Sequence, residues 1–165
     1  KLQTFLYLPA SGIVQGMRPL IGYNYGAGEI KRVKKLFGIS VLLNGMIMLV
    51  GTIICFTASE TLMGMFTENP ETVRFGTAAL QIISIGFIPS AISVTASGAL
   101  EGLSKGAQSL VISLLRYIIV IIPAAYLLCH FAGADAVWNA FWICEFITAV
   151  VVGIGIKYYW NRLLQ

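Results

Sequence analysis

Between Lys35 and Glu60 the chain runs LFGISVLLNGMIMLVGTIICFTAS without one charged side chain. A second neutral run, FGTAALQIISIGFIPSAISVTASGAL, lies between Arg74 and Glu101. A third, Tyr117–Ala134, is preceded by SLVISLL and separated from it only by Arg116; a fourth, Ala136–Ile156, is interrupted only by Glu145. Leu2–Met17 is a shorter fifth that continues through PLIGYN when Arg18 is tolerated. A helix needs about 20 apolar residues to cross a hydrocarbon core of roughly 30 Å. A membrane barrel would instead show alternating segments of roughly ten residues, and these runs are apolar all round. The pattern predicts an all-α membrane protein with five transmembrane helices, near 2–24, 36–58, 73–99, 107–130 and 136–157.

Composition agrees. Only 11% of residues are charged and the mean hydropathy is +0.84, against about 25% charged in ordinary soluble domains. A soluble fold so poor in charge would expose large apolar patches. The net charge of +4 is too small and too grouped for a nucleic-acid face. Cys55, Cys129 and Cys144 form no CxxC pair and have no companion His at ligand spacing, so they read as small buried apolar side chains. No metal site is expected. Lys1 opens onto an apolar run with neither a starting Met nor a signal-peptide pattern, so the chain is expected to be a piece of something longer.

Orientation follows from the basic residues. Lys31, Arg32, Lys34 and Lys35 follow the first span, Lys105 the third, and Lys157 and Arg162 the last. In a five-span topology all seven fall on one side, which is therefore cytoplasmic, with the C-terminus. The opposite loops hold Arg74, His130, Glu60, Glu68, Glu71 and Asp135. KRVKK is the cytoplasmic anchor of the second helix. Trp138 at one edge, and Tyr158, Tyr159 and Trp160 at the other, suit interfacial aromatic belts. The adjoining glycines form no phosphate loop, since no GK[ST] follows and Gly26-Ala27-Gly28 lacks a third glycine. Gly22, Gly26 and Gly28 instead allow a sharp turn and close passage to a neighbouring helix.

Pro9, Pro19, Pro89 and Pro123 lie within the spans. Each removes a donor and frees a carbonyl in the preceding turn, a pattern suited to a bundle that bends. Gln81, Ser84 and Pro89 on the third span are candidates to line a wet cavity, with helix packing through small polar residues as the alternative. Gln15 is the matching candidate on the first span, where Gly12 and Gly16 form a close-packing GxxxG pair. Glu101 is read as a surface partner of Lys105. At 1.5 Å per residue Arg116 lies about 16 Å from Lys105 and Glu145 about 15 Å from Asp135, both near mid-membrane. A lone charge there costs at least roughly 2.5–3.5 kcal/mol, so the two are expected to pair. The pair is either a structural tie or, in a sharper reading, the place where Glu145 takes up a proton or cation.

The stretch QGMRPLIGYNYGAGEIKRVKK is similar to the end of the eighth helix of the multidrug and toxic compound extrusion (MATE) family, with Gln15, Gly16, Pro19, Gly22, Asn24, Gly26 and Ala27 in the pattern. ASGALEGLSKGAQSLVISLLRYIIVIIPAAYLL resembles the family's tenth-to-eleventh helix junction, and GADAVWNAFWICEFIT the start of its twelfth. The resemblance implies helices eight to twelve of a two-lobed, twelve-helix antiporter, most of one six-helix bundle, with the N-terminal lobe and the first helix of this lobe absent. It implies export of cationic and amphipathic organic compounds, driven by Na+ or H+, from a bacterial-type cell membrane. No residue here can be assigned the coupling ion, because no carboxylate lies between Arg74 and Glu101 on the tenth-helix equivalent. No cofactor is implied; the expected partners are membrane lipid, the missing lobe and a small organic substrate. Alternatives are a lipid-linked oligosaccharide flippase of the same superfamily and a non-transporting scaffold subunit. Catalysis has no motif to stand on: there is one histidine, no GxSxG, no HExxH and no carboxylate pair within a span.

Overall fold

With no water in the hydrocarbon core, each backbone N–H and C=O must be satisfied within its own segment, and the neutral runs become helices. In the computed structural model, which describes residues 2–163, the order is α1 (Leu2–Gly26), α2 (Ile30–Thr57), a short α3 (Ser59–Gly64), α4 (Pro70–Ser84), α5 (Phe87–Gly102), α6 (Gly106–Leu114), a π-helical stretch (Leu115–Ile121), α7 (Ile122–Ala132), a 3-10 turn (Ala134–Trp138) and α8 (Asn139–Leu163). The side chains of 2, 3, 6, 132, 134, 135 and 159–163 are not described, so the boundary roles given to Asp135, Tyr159, Trp160 and Arg162 lie outside the described residues. Among the described residues there is no strand.

By length and apolarity, Ile30–Thr57, Gly106–Phe131 and Ala136–Tyr158 can each cross a membrane, and α4 with α5 forms a fourth, bent span. The fifth expected span, α1, has 25 residues, about 37 Å at helical rise. It falls short in apolarity because Ser11, Gln15 and Arg18 give it a polar face. α2 starts ahead of the neutral run, so Lys31, Arg32 and Lys35 stand exposed on its first turns beside Glu29, whose carboxylate is 3.8 Å from Arg32. Lys34 is half-buried.

The run expected as one helix over 73–99 is broken, and the two halves meet at 57°. The break is at Ser84–Gly86 rather than at Pro89. Gly86 passes so close to α8 that a Cβ there would sit 3.1 Å from the Trp142 Cα and 3.4 Å from the Glu145 Cγ. The break puts Pro89 in the first turn of α5, where a missing N–H is one of the orphan donors in any case. Pro70 sits likewise at the start of α4, under an Asn69 cap whose Oδ1 accepts from the Glu71 and Thr72 N–H groups.

Pro123 acts differently. It cannot offer an N–H to the Ile119 carbonyl, and the chain ahead of it widens into the π stretch, whose longer hydrogen-bond step passes carbonyls on to later donors.

α5 is the hub, packing against α1, α2, α6 and α8. Between Phe87 and Leu100, its buried side is built of Ser90, Ala91, Ser93, Thr95, Ala96, Gly98 and Ala99, small residues that let backbones approach closely where lipid gives apolar groups no reason to prefer protein. On the half nearer the α1–α2 turn, Val14, Met17 and Ile21 of α1 pack with Val33, Ala99 and Leu103. On the other half, Ala10, Met48, Cys55, Leu80, Phe87 and Ala91 form a second cluster, with Tyr7 edge-on to Phe87 at 5.2 Å.

The close glycine contacts are not those expected from Gly12 and Gly16, around which a Cβ would meet nothing within 4 Å; the same holds for Gly26. They are Gly98 and Gly102 on α5: a Cβ on Gly98 would strike the Val14 side chain, and one on Gly102 would lie 2.7 Å from the Arg18 carbonyl. Gly22 answers from α1, with a Cβ position 3.0 Å from the Gly102 carbonyl oxygen, and Gly28 makes the turn into α2 at φ +74. Cys55 and Cys144 are buried as expected, but Cys129 is exposed on α7.

Candidate functional site

Three polar ties cross the hub. Asn44 on α2, fully buried, donates Nδ2–H to Thr95 Oγ1 at 2.7 Å, and that hydroxyl donates to the Ala91 carbonyl. Tyr7 donates to Ser90 Oγ at 2.7 Å, and that hydroxyl donates in turn to the Phe87 carbonyl. The third tie is ionic. The Arg116 Nη1 lies 3.5 Å from the Glu145 Oε2, with side-chain exposures of 15% and 14%. Ser93 Oγ sits between them, accepting from Arg116 Nη1 at 3.3 Å and donating towards Glu145 Oε2 at 3.1 Å. The Ser90 carbonyl, also at 3.1 Å, competes for that proton. Arg116 further lies over the Tyr117 ring at 5.0 Å and donates to its hydroxyl.

The π stretch presents this arginine, and Cys144 supports it: the thiol donates to the Arg116 backbone carbonyl at 3.2 Å. The broken span presents the other partner, since Gly86 allows α8 and Glu145 to close against the bend.

A cleft of ≈240 Å³ opens beside the tie. α1 contributes Ser11, Val14, Gln15 and Arg18; α5 contributes Val94, Ser97 and Gly98; Ser113, Arg116 and Tyr117 close the third side. Arg18 bonds Glu101 Oε2 at 2.8 Å, and Ser109 donates to the other carboxylate oxygen at 2.9 Å. Glu101 therefore joins α1, α5 and α6, and is not the partner of Lys105 expected from their spacing. A larger groove of ≈370 Å³ between α6 and α8 is walled almost wholly by aliphatic side chains.

Gln15 is exposed in the cleft. Gln81 and Ser84 are elsewhere. Gln81 donates Nε2–H to Ser59 Oγ at 3.0 Å, which ties α4 to α3. Ser84 is fully buried and donates to the Gln81 carbonyl, while Thr52 bonds the Ser84 carbonyl from α2. These are packing contacts, and Pro89, half-buried in the first turn of α5, lines none of the cleft. Sequence reasoning gave no role to Asn44, Tyr7, Ser11, Ser113 or Tyr117. Asn44 carried a signal, being the one amide in a long neutral run. The hydroxyls did not, because only the helix rotations decide which of many serines face one another. Among the described residues no group of His, Cys, Asp and Glu could hold a metal ion.

The MatE family profile matches residues 1–127. The chain belongs to the MatE family. It is 26% identical over 165 residues to the multidrug export protein MepA of Staphylococcus aureus (strain bovine RF122 / ET3-1), covering 99% of this chain and 36% of that protein. To the probable multidrug resistance protein NorM of Pseudomonas syringae pv. tomato it is 27% identical over 162 residues, covering 93% and 35%. This MatE chain thus spans about a third of the length of the curated relatives it matches. Among solved structures, a MOP superfamily transporter from Pyrococcus furiosus matches with TM-score 0.94 at 16% identity, covering 99% of this chain and 37% of that one. An outward-facing MATE transporter matches with TM-score 0.93 at 17% identity, covering 98% and 37%. At these identities the likeness is one of fold.

Proposed function

We propose that this MatE chain is part of a secondary active exporter in the cell membrane, moving amphipathic organic compounds by alternating access and coupled to Na+ or H+ influx. In this reading it contributes helices eight to twelve, with the C-terminus cytoplasmic, and acts together with the remaining lobe. The observation that carries it is the cleft: a membrane bundle needs no polar hollow for its own stability, and here one is lined by Gln15, three serines and two arginines. A scaffold subunit would fill that space. The named relatives are a multidrug export protein and a probable multidrug resistance protein, which supports efflux and gives no support to an enzyme. The same fold matches an outward-facing and an inward-facing MATE transporter with TM-score 0.93 each, which supports a unit that moves as a body while access alternates.

For ion coupling the candidate group is Glu145. Its neighbours are a guanidinium and a hydroxyl, so taking up a proton would loosen Arg116, whose side chain lines the cleft. The preference for cationic compounds that the family resemblance implied is not adopted, because the cleft lining holds two guanidinium groups and no carboxylate.

The test is access. A Gln15→Cys variant in a Cys129→Ser background, in native-composition membranes, is treated with membrane-impermeant maleimide. Labelling that an amphipathic dye suppresses is the expected result. A Gln15→Cys thiol that no water-soluble reagent reaches from either side overturns the cleft as part of a transport path.

A further inference from the structure

We propose that the cleft between α1, α5 and the π stretch receives the anionic head of an amphipathic ligand, a carboxylate or phosphate, between Arg18 and Arg116. The inference rests on the cleft being part of the transport path and specifies what that path takes.

Both arginines line the cleft, whereas the carboxylates that balance them, Glu101 and Glu145, do not. Each carboxylate stays close to its arginine, at 2.8 and 3.5 Å, but only the arginines are among the residues that line the cleft. Each arginine also keeps an Nε–H that is buried and has no hydrogen-bond partner. A buried donor left unmade is unfavourable, and here two such donors belong to the walls of one hollow. The remaining polar lining consists of hydroxyls and one amide, all able to donate. A cation in this space would find two arginines and no carboxylate among the lining residues. An oxyanion would have an arginine on each of two sides and hydrogen-bond donors around it, while Val14, Val94 and the Tyr117 ring offer apolar surface to the adjoining carbons. The volume, ≈240 Å³, lies below the roughly 300–1,000 Å³ of sites that enclose whole drug-sized ligands, so it suits a head group with the tail left outside.

The experiment uses the full chain in nanodiscs of neutral phosphatidylcholine, with 11-dansylaminoundecanoate as the fluorescent anionic probe. Dodecyl phosphate, dodecyltrimethylammonium and inorganic phosphate serve as competitors. Saturable probe binding is expected, with dodecyl phosphate displacing the probe at least tenfold more effectively than the ammonium. The paired neutral variants R18Q/E101Q and R116Q/E145Q each leave no uncompensated charge, and each is expected to weaken probe binding at least tenfold. They alter different parts of the bundle, so one that fails to fold leaves the other to decide. Displacement by inorganic phosphate supports capture of the head alone; displacement by dodecyl phosphate only supports capture of a lipid-like amphipath. Equal or stronger displacement by the ammonium, or unchanged probe affinity in a folded paired variant, overturns the proposal. If Gln15→Cys labels while the ammonium wins, only the anion preference falls. If Gln15→Cys never labels, the transport reading falls with it.

Discussion

Removing one member of the Arg116–Glu145 pair should harm the fold far more than removing both. At 3.5 Å and an effective dielectric near 20, the attraction between full charges is about 5 kcal/mol. Much of that offsets the desolvation of two groups that are each only about one-seventh exposed. In Arg116→Gln the Glu145 carboxylate is left with the Ser93 hydroxyl alone, and in Glu145→Gln the guanidinium keeps only Ser93 and Tyr117. Each single change is expected to cost about 3–5 kcal/mol. In R116Q/E145Q no charge remains, and amides of similar reach can still bond Ser93, so the loss should be about 1–2 kcal/mol. The coupling energy is then about 4 kcal/mol or more. Unfolding of the four forms in bicelles by SDS titration, followed by circular dichroism, measures it. The charge-exchanged form R116E/E145R should recover part of what either reversal loses. A double neutral variant as unstable as the sum of the singles, with no recovery on exchange, refutes the coupling.

The glycine contacts make an opposed pair of expectations. Gly102→Ala, with its Cβ forced against the Arg18 carbonyl, should cost about 1–3 kcal/mol, whereas Gly12→Ala and Gly16→Ala, which meet nothing, should be neutral or slightly stabilising. The same unfolding titration checks both, and a costly Gly16→Ala would show that α1 packs elsewhere. Thr95→Ala should cost about 0.6–1.7 kcal/mol by stranding the buried Asn44 amide donor, and Asn44→Leu introduced in that background should restore part of it. Vesicles holding the 165-residue chain alone should show no amphipathic dye flux above protein-free vesicles; measurable flux would contradict the proposal that this chain acts only together with a further lobe.

Much was legible in the sequence because the bilayer restricts the choices so strongly. Uncharged runs of span length can only become helices in lipid, so helical class and membrane placement followed from Leu36–Ser59 and its counterparts. Family membership was readable from QGMRPLIGYNYGAGEIKRVKK, and Arg116 and Glu145 were singled out because mid-span charge is so unfavourable that each requires a partner. What one dimension could not supply was azimuth. A serine, glycine or glutamine has nearly the same preference for any face of a membrane helix, so Gln15 and Gln81 read alike, yet one lines the cleft and the other holds α3. The same gap made Gly12-x-x-x-Gly16 look like the contact when Gly98-x-x-x-Gly102 is. It also paired Glu101 with the nearest lysine along the chain, when Arg18 reaches it from a different helix. The break at Gly86 was hidden for a related reason: it arises from how closely α8 approaches, and no local residue announces that as plainly as a proline would. Length, apolarity and isolated charge are properties of a segment and survive in the sequence, whereas cleft, hinge and ion-pair partners depend on how each helix is rotated against its neighbours, which only the packed structure decides.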